Sequence, residues 1–142
     1  MSNFDEKTVD RIKRLEREVE RLRVKEKQVF VPLTTPLTSI DWDGDTKGTG
    51  DRATVDLSAV FGVPAGVKAV LMSIQTQATA ANKYIRFGPS STYNYALTCR
   101  TAVANQIAHA FGIVPCDSNG DIYCYPSSTI AGVEVYIWGY WL

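Results

Sequence analysis

Residues Asp5 to Val29 read DEKTVDRIKRLEREVERLRVKEKQV. Their apolar residues Ile12, Leu15, Val19 and Leu22 are spaced three, four and three apart, the heptad spacing with Ile12 and Val19 at a and Leu15 and Leu22 at d. Val29 falls on the next d position. Almost every residue between is Glu, Lys or Arg, so a single helix would own one narrow apolar stripe and nothing to cover it. A solvated helix lying on its own domain normally presents a wider apolar face than a and d alone. A helix of this length is marginal by itself in water, whereas each buried Ile, Leu or Val contributes roughly 1.5–3 kcal/mol. The stretch therefore predicts a helix held by copies of itself.

The charged flanks set the orientation. Arg11 and Glu18 at g can meet Glu16 and Arg23 at e of a neighbouring chain, attractive pairings in a parallel, in-register bundle. β-branched a residues with Leu at d favour two strands by the general rule. Against that, Arg11-Ile12-Lys13-Arg14-Leu15-Glu16 resembles the short trimerisation motif of parallel coiled coils at every specified position. That resemblance implies three strands.

The chain has 142 residues and a net charge of zero, but residues 1–28 hold nine Lys+Arg and seven Asp+Glu, more than half of all the charge. Parts with different physics are joined: a coiled-coil helix over 1–28, an extended Pro-containing neck over 29–40 and a head over 41–142. Pro32 and Pro36 disfavour helix in the residues before them, which stops the coil near Phe30. No basic-apolar leader and no membrane-length apolar run is read, so synthesis in a cytoplasm and no membrane partner are expected. Cys99, Cys116 and Cys124 are an odd number without C-x-x-C spacing, which points to reduced thiols rather than a disulfide framework or zinc site.

The segment 41–51 carries Asp41, Asp43, Asp45 and Asp51 among three glycines. Its alternating carboxylates invite a calcium reading, but an EF-hand loop wants Gly at position six and Glu at twelve, where Thr46 and Arg52 stand. A solvated acidic loop is expected there, and no phosphate loop, because no Gly-Lys-Ser/Thr follows.

Beyond Ala53 the signals are those of a β protein. Short runs at 54–57, 67–79, 84–87, 93–99, 106–114, 121–125 and 132–141 are rich in β-branched and aromatic residues and bounded by Gly, Pro, Ser or Asn. About eight strands without helical crossovers predict an antiparallel β-sandwich or jelly roll. Asn119-Gly120 predicts a two-residue type I′ hairpin that would set Cys116 opposite Tyr123. In the last run Val133, Val135 and Ile137 alternate with Tyr136, Trp138 and Tyr140, so the aromatic row is expected to form a subunit interface.

The catalytic inventory is thin. His109 is the single histidine, and Glu134 is the single Glu beyond the coil, which disfavours paired-glutamate chemistry. No enzyme activity, metal or cofactor is expected. Tyr84, Tyr93, Tyr95, Tyr123 and Tyr125, with Arg86 or Arg100, form a candidate sugar-stacking platform, against the alternative that the tyrosines pack with one wet end. Glu interrupts the coil's basic residues throughout, so nucleic acid is not an expected partner.

Together the trimeric coil, the neck and the β head resemble the trimeric accessory proteins of tailed-phage virions: capsid decoration or cement proteins, head fibres and short tail fibres. The resemblance implies a homotrimeric structural protein of the virion, bound to a capsid protein or tail component. Alternatives are a tail fibre contacting host-surface glycan and a soluble trimeric lectin.

Overall fold

The computed structural model describes residues 3–26 and 29–142, with side chains over 5–22 and 29–142. Helix α1 spans Asn3–Glu26, opened by Asp5 and Glu6 where acidic residues suit the amino-terminal dipole. The strands are β1 (Phe30–Leu37), β2 (Asp43–Lys47), β3 (Ala53–Val55), β4 (Ala69–Gln77), β5 (Lys83–Gly88), β6 (Leu97–Thr101), β7 (Ala108–Pro115), β8 (Ile122–Pro126) and β9 (Ile130–Trp141), with a short helix α2 (Leu57–Phe61) after β3.

The chain is mainly β, in two antiparallel sheets. One runs β1-β9-β4-β7, with β2 also paired to β9, and the other runs β3-β8-β5-β6. The pairings nest: β5 with β6, β4 with β7, β3 with β8, and β1 and β2 with β9. Successive nested pairs fall in alternate sheets, so the chain behaves as one long hairpin folded over itself.

Period-two alternation drives the closure. Val70, Met72 and Ile74 of β4 and Val133, Val135 and Ile137 of β9 face inward from one sheet. Ile85 and Phe87, Cys99, Ile122 and Cys124 face them from the other, all essentially buried. The buried Thr76 hydroxyl is matched with the Cys99 thiol at 3.2 Å, so this core position carries its own partner.

Several expectations change. Residues 30–37 are not a free neck: β1 pairs with β9 from Phe30↔Trp141 through Leu37↔Ile137, and Val29 accepts a backbone bond from Leu142 at 2.9 Å. Pro32 and Pro36 are tolerated because β1 is an edge strand, where a missing amide donor costs no ladder bond. The expected acidic loop contains β2, and Trp42 beside it is buried, 5.8 Å from the Phe87 ring. Residues 93–96 stay outside β6. Helix α2 interrupts the run at 54–57, capped by Asp56 accepting from Ala59 N at 3.1 Å and closed by Gly62 in the left-handed region.

The Asn119-Gly120 hairpin also differs. Gly120 has φ +82° while Asn119 is not in the positive region, so a type I′ turn is not formed. Asp117 Oδ1 instead accepts from Asn119 N and Asp121 N, and Gly120 N donates to Asp117 O at 3.0 Å. The flanking strands β7 and β8 belong to different sheets, so Cys116 and Tyr123 are not cross-strand partners. Cys99, Cys116 and Cys124 are free thiols.

Candidate functional site

Three surfaces carry the residues singled out from the sequence. On α1, Ile12, Leu15, Val19 and Leu22 form one stripe, each 49–52% exposed, with Glu16 and Glu20 alongside. Arg11, Glu16 and Glu18 are exposed on its flanks. The Arg23 side chain lies outside the described residues.

The second surface is the outward side of the five-stranded sheet. Cross-strand partners share a face, so Leu71 with Ile113 and Ser73 with Phe111 point out together. Phe111 is 63% and Ile113 53% exposed. Trp138 donates Nε1–H to Ser73 Oγ at 2.9 Å, which brings its ring beside them. Tyr136 donates to Glu134 Oε2 at 3.1 Å, and that bond to a carboxylate holds the phenol above its ordinary value, with burial adding to it. Phe30 lies against Trp141 with ring centroids 4.4 Å apart. A Cβ on Gly139 would meet the Phe30 ring at 2.6 Å, so only glycine admits that ring there.

Tyr140 does not join this row. β9 pairs Ile137 with Met72 but Gly139 with Leu71, one extra residue at Trp138. Such a bulge reverses the side on which later residues point. Tyr140 therefore pairs with buried Val70 and packs against the core, leaving Tyr136 and Trp138 outside.

The third surface is the outward side of the four-stranded sheet, where most of the candidate platform converges. Tyr84 pairs with Arg100, Arg86 with both Thr98 and Tyr125, and Gly88 with Tyr123. The guanidinium of Arg86 lies 4.3 Å and that of Arg100 5.1 Å from the Tyr84 ring centre, and Arg52 covers Tyr125 at 4.0 Å. Arg52 was not foreseen. It is fixed by donating to Pro126 O at 3.0 Å and Ser127 O at 3.2 Å. Tyr93 and Tyr95 sit on the loop after β5, exposed, with ring centroids 6.4 Å apart. An outward Cβ on Gly88 would strike the Tyr93 carbonyl oxygen, so the loop backbone crosses the face here and closes one end of it.

His109 is exposed on β7 opposite Gln75. Among the described residues no three His, Cys, Asp or Glu side chains gather as a metal site, and no helix is long and apolar enough to cross a membrane. The Asp41, Asp43 and Asp45 carboxylates follow the turn and strand β2 in exposed positions.

No family model and no curated protein matches the chain. Among solved structures it is similar to the tobacco streak virus coat protein dimer, at 11% identity and a TM-score of 0.30, over 82% of this chain and 83% of that one. A likeness this slight settles neither fold nor function.

Proposed function

We propose that the chain is a homotrimeric, non-enzymatic structural protein of a tailed-phage virion, a capsid decoration, cement or head-fibre protein that binds the capsid surface. One observation carries the reading: two uncovered apolar surfaces follow each other along the chain. The heptad stripe of α1 is half exposed, and Phe30, four residues past the helix, stacks on Trp141 at the margin of the Phe111 and Ile113 face. A parallel coil would bring three copies of that margin to one axis. Burying the stripe supplies roughly 1.5–3 kcal/mol for each Ile, Leu or Val, and three aligned heads would bind a repeating lattice with avidity none has alone.

Light scattering of the full chain tests the first half. A mass three times 15.7 kDa supports the reading, and a monomer removes it. A Leu15→Asp, Leu22→Asp variant is expected to be monomeric with a folded head and to lose binding to stripped capsids. Capsid binding equal to that of the unaltered protein would defeat the role given to the coil.

A further inference from the structure

The three arginines that follow the helix, Arg52, Arg86 and Arg100, all stand on or beside the outward side of the four-stranded sheet. The strands of that sheet contain no Asp or Glu, whereas the part of the chain after residue 28 carries eight acidic residues elsewhere. Asp51, Asp56 and Asp121 flank the ends of β3 and β8, while Arg86 and Arg100 stand within β5 and β6, away from them in the chain. The tyrosine rings orient the guanidinium planes before any ligand arrives; Arg52 already gives Nε and Nη2 to Pro126 O and Ser127 O, so the donors left for a ligand are chiefly those of Arg86 and Arg100. The Arg86 Nε–H is buried and has no hydrogen-bond partner among the described residues. Leaving a charged donor dry and unmet is costly unless something else meets it.

From these observations we infer that this face binds an acidic polysaccharide, a chain carrying both carboxylates and hydroxyls. A forked guanidinium matches a carboxylate with two parallel bonds. Between the forks stand hydroxyls, those of Tyr84, Tyr123, Tyr125 and Thr98, which can donate to and accept from sugar hydroxyls. An acidic peptide offers few groups for them. A nucleic acid would need open ring faces for its bases and a longer basic track, but Arg52, Arg86 and Arg100 already occupy ring faces of Tyr125 and Tyr84. Clefts lined by Gln75 and Glu134 and by Ile113 and Trp141 lie on the other sheet, whereas this face is the outer side of four paired strands, so an extended polymer suits it better than a compact metabolite. The site lies within one head, so it stands or falls apart from the trimer.

Binding of the full chain to immobilised hyaluronan and polysialic acid, beside neutral dextran, polyglutamate and a single-stranded oligonucleotide, tests this. Retention by at least one acidic glycan, weakened about tenfold or more between 0.05 M and 0.5 M salt, is expected, with none by dextran. Arg100→Gln, at an exposed position, should weaken glycan binding about tenfold, and Arg100→Lys less, because Lys keeps the charge without the fork. Arg86→Gln should do the same, and if its buried Nε makes that variant unstable the Arg100 pair alone decides. Glycan binding unchanged in Arg100→Gln, equal retention on dextran, or tighter retention on polyglutamate or the oligonucleotide overturns the proposal. In the monomeric coil variant, binding to short acidic oligosaccharides should persist, which separates failure of this site from failure of the assembly.

Discussion

The two sheets of the head share one core and turn opposite chemistry outward. Outside the five-stranded sheet stand Leu71, Phe111, Ile113 and Trp138; outside the four-stranded sheet stand Tyr84, Arg86, Thr98 and Arg100. Both follow the same period-two alternation, with inward residues more buried than their outward neighbours along β4, β6 and β7. Alternation therefore fixes which side of a strand meets the core, and says nothing about what the other side is for. A cationic, hydroxyl-bearing face is at ease in water. An apolar one of that extent is rare on a monomer and calls for cover. The heptad stripe of α1 repeats the demand of the apolar face, so on these terms the helix and the five-stranded sheet belong together while the Arg–Tyr face stands apart.

The largest expected effect breaks both sides at once. Phe87 is 1% exposed on β5, with its ring 5.8 Å from that of Trp42 and its backbone paired with Leu97 and Cys124. Phe87→Ala should cost about 3–5 kcal/mol, a large part of the roughly 5–15 kcal/mol that holds a domain together. Urea unfolding followed by tryptophan fluorescence measures it. A cost below about 1 kcal/mol would mean that the sheets do not depend on a common core.

A smaller change should separate the two faces. Phe111→Asp with Ile113→Asp alters only residues more than half exposed, so the unfolding free energy of the monomeric coil variant should move by no more than about 0.5 kcal/mol. If the heads of the proposed trimer meet through this face, the same pair of changes in the otherwise unaltered chain should weaken association at least tenfold, about 1.4 kcal/mol, by sedimentation equilibrium. Arg100→Gln on the opposite side should leave association as it was. Equal effects from both sides would erase the distinction.

What was legible in the sequence follows the same physics. Strands with a clean alternation, such as Val133, Val135 and Ile137 against Tyr136 and Trp138, announced the β character and two unlike faces, whereas the run at 67–79 did not tell its inner face from its outer one. Strand β2 announced nothing, because Asp43-Gly44-Asp45-Thr46-Lys47 is exposed or half-buried throughout and adheres to β9 by backbone pairing and one side-chain bond, from the Thr46 hydroxyl to Ala131 O. Strand β1 read as a neck because Pro32 and Pro36 spoke only against continuing the helix; at a sheet edge proline is no bar to a strand. The five residues of α2 are too few to show a period, although Asp56 and Gly62 marked both its ends. Tyr140 changed sides through one inserted residue, which no local pattern records. The Arg–Tyr face was half legible: the tyrosines and Arg86 were evident as candidates, but Arg52 joins Tyr125 only because β3 lies beside β8.

The last expected effect asks which sheet gives way first. Two of the three thiols, Cys99 and Cys124, lie on inner positions of the four-stranded sheet, and Cys116 sits where the chain crosses towards that sheet from β7; the five-stranded sheet contains none. Burial pushes Cys116 from its ordinary value of 9.0 to about 12, with Asp117 and Asp121 adding to the rise, and burial pushes Cys124 to about 12 as well. The folded state thus keeps both thiols neutral where the unfolded chain would ionise them. Well below pH 9 both states keep these thiols protonated, and they make no difference to stability. As the pH climbs from about 9 towards 12 the unfolded state alone gains charge, so stability falls. Urea midpoints at pH 8 and pH 10 should show the decline, and a Cys116→Ala, Cys124→Ala variant, less stable at pH 8 for its lost packing, should decline less steeply between them. Hydrogen exchange at the higher pH should rise first in β8 and its partners β3 and β5. An identical decline in the variant, or exchange beginning in β4 and β9, would place the weaker sheet on the other side of the head.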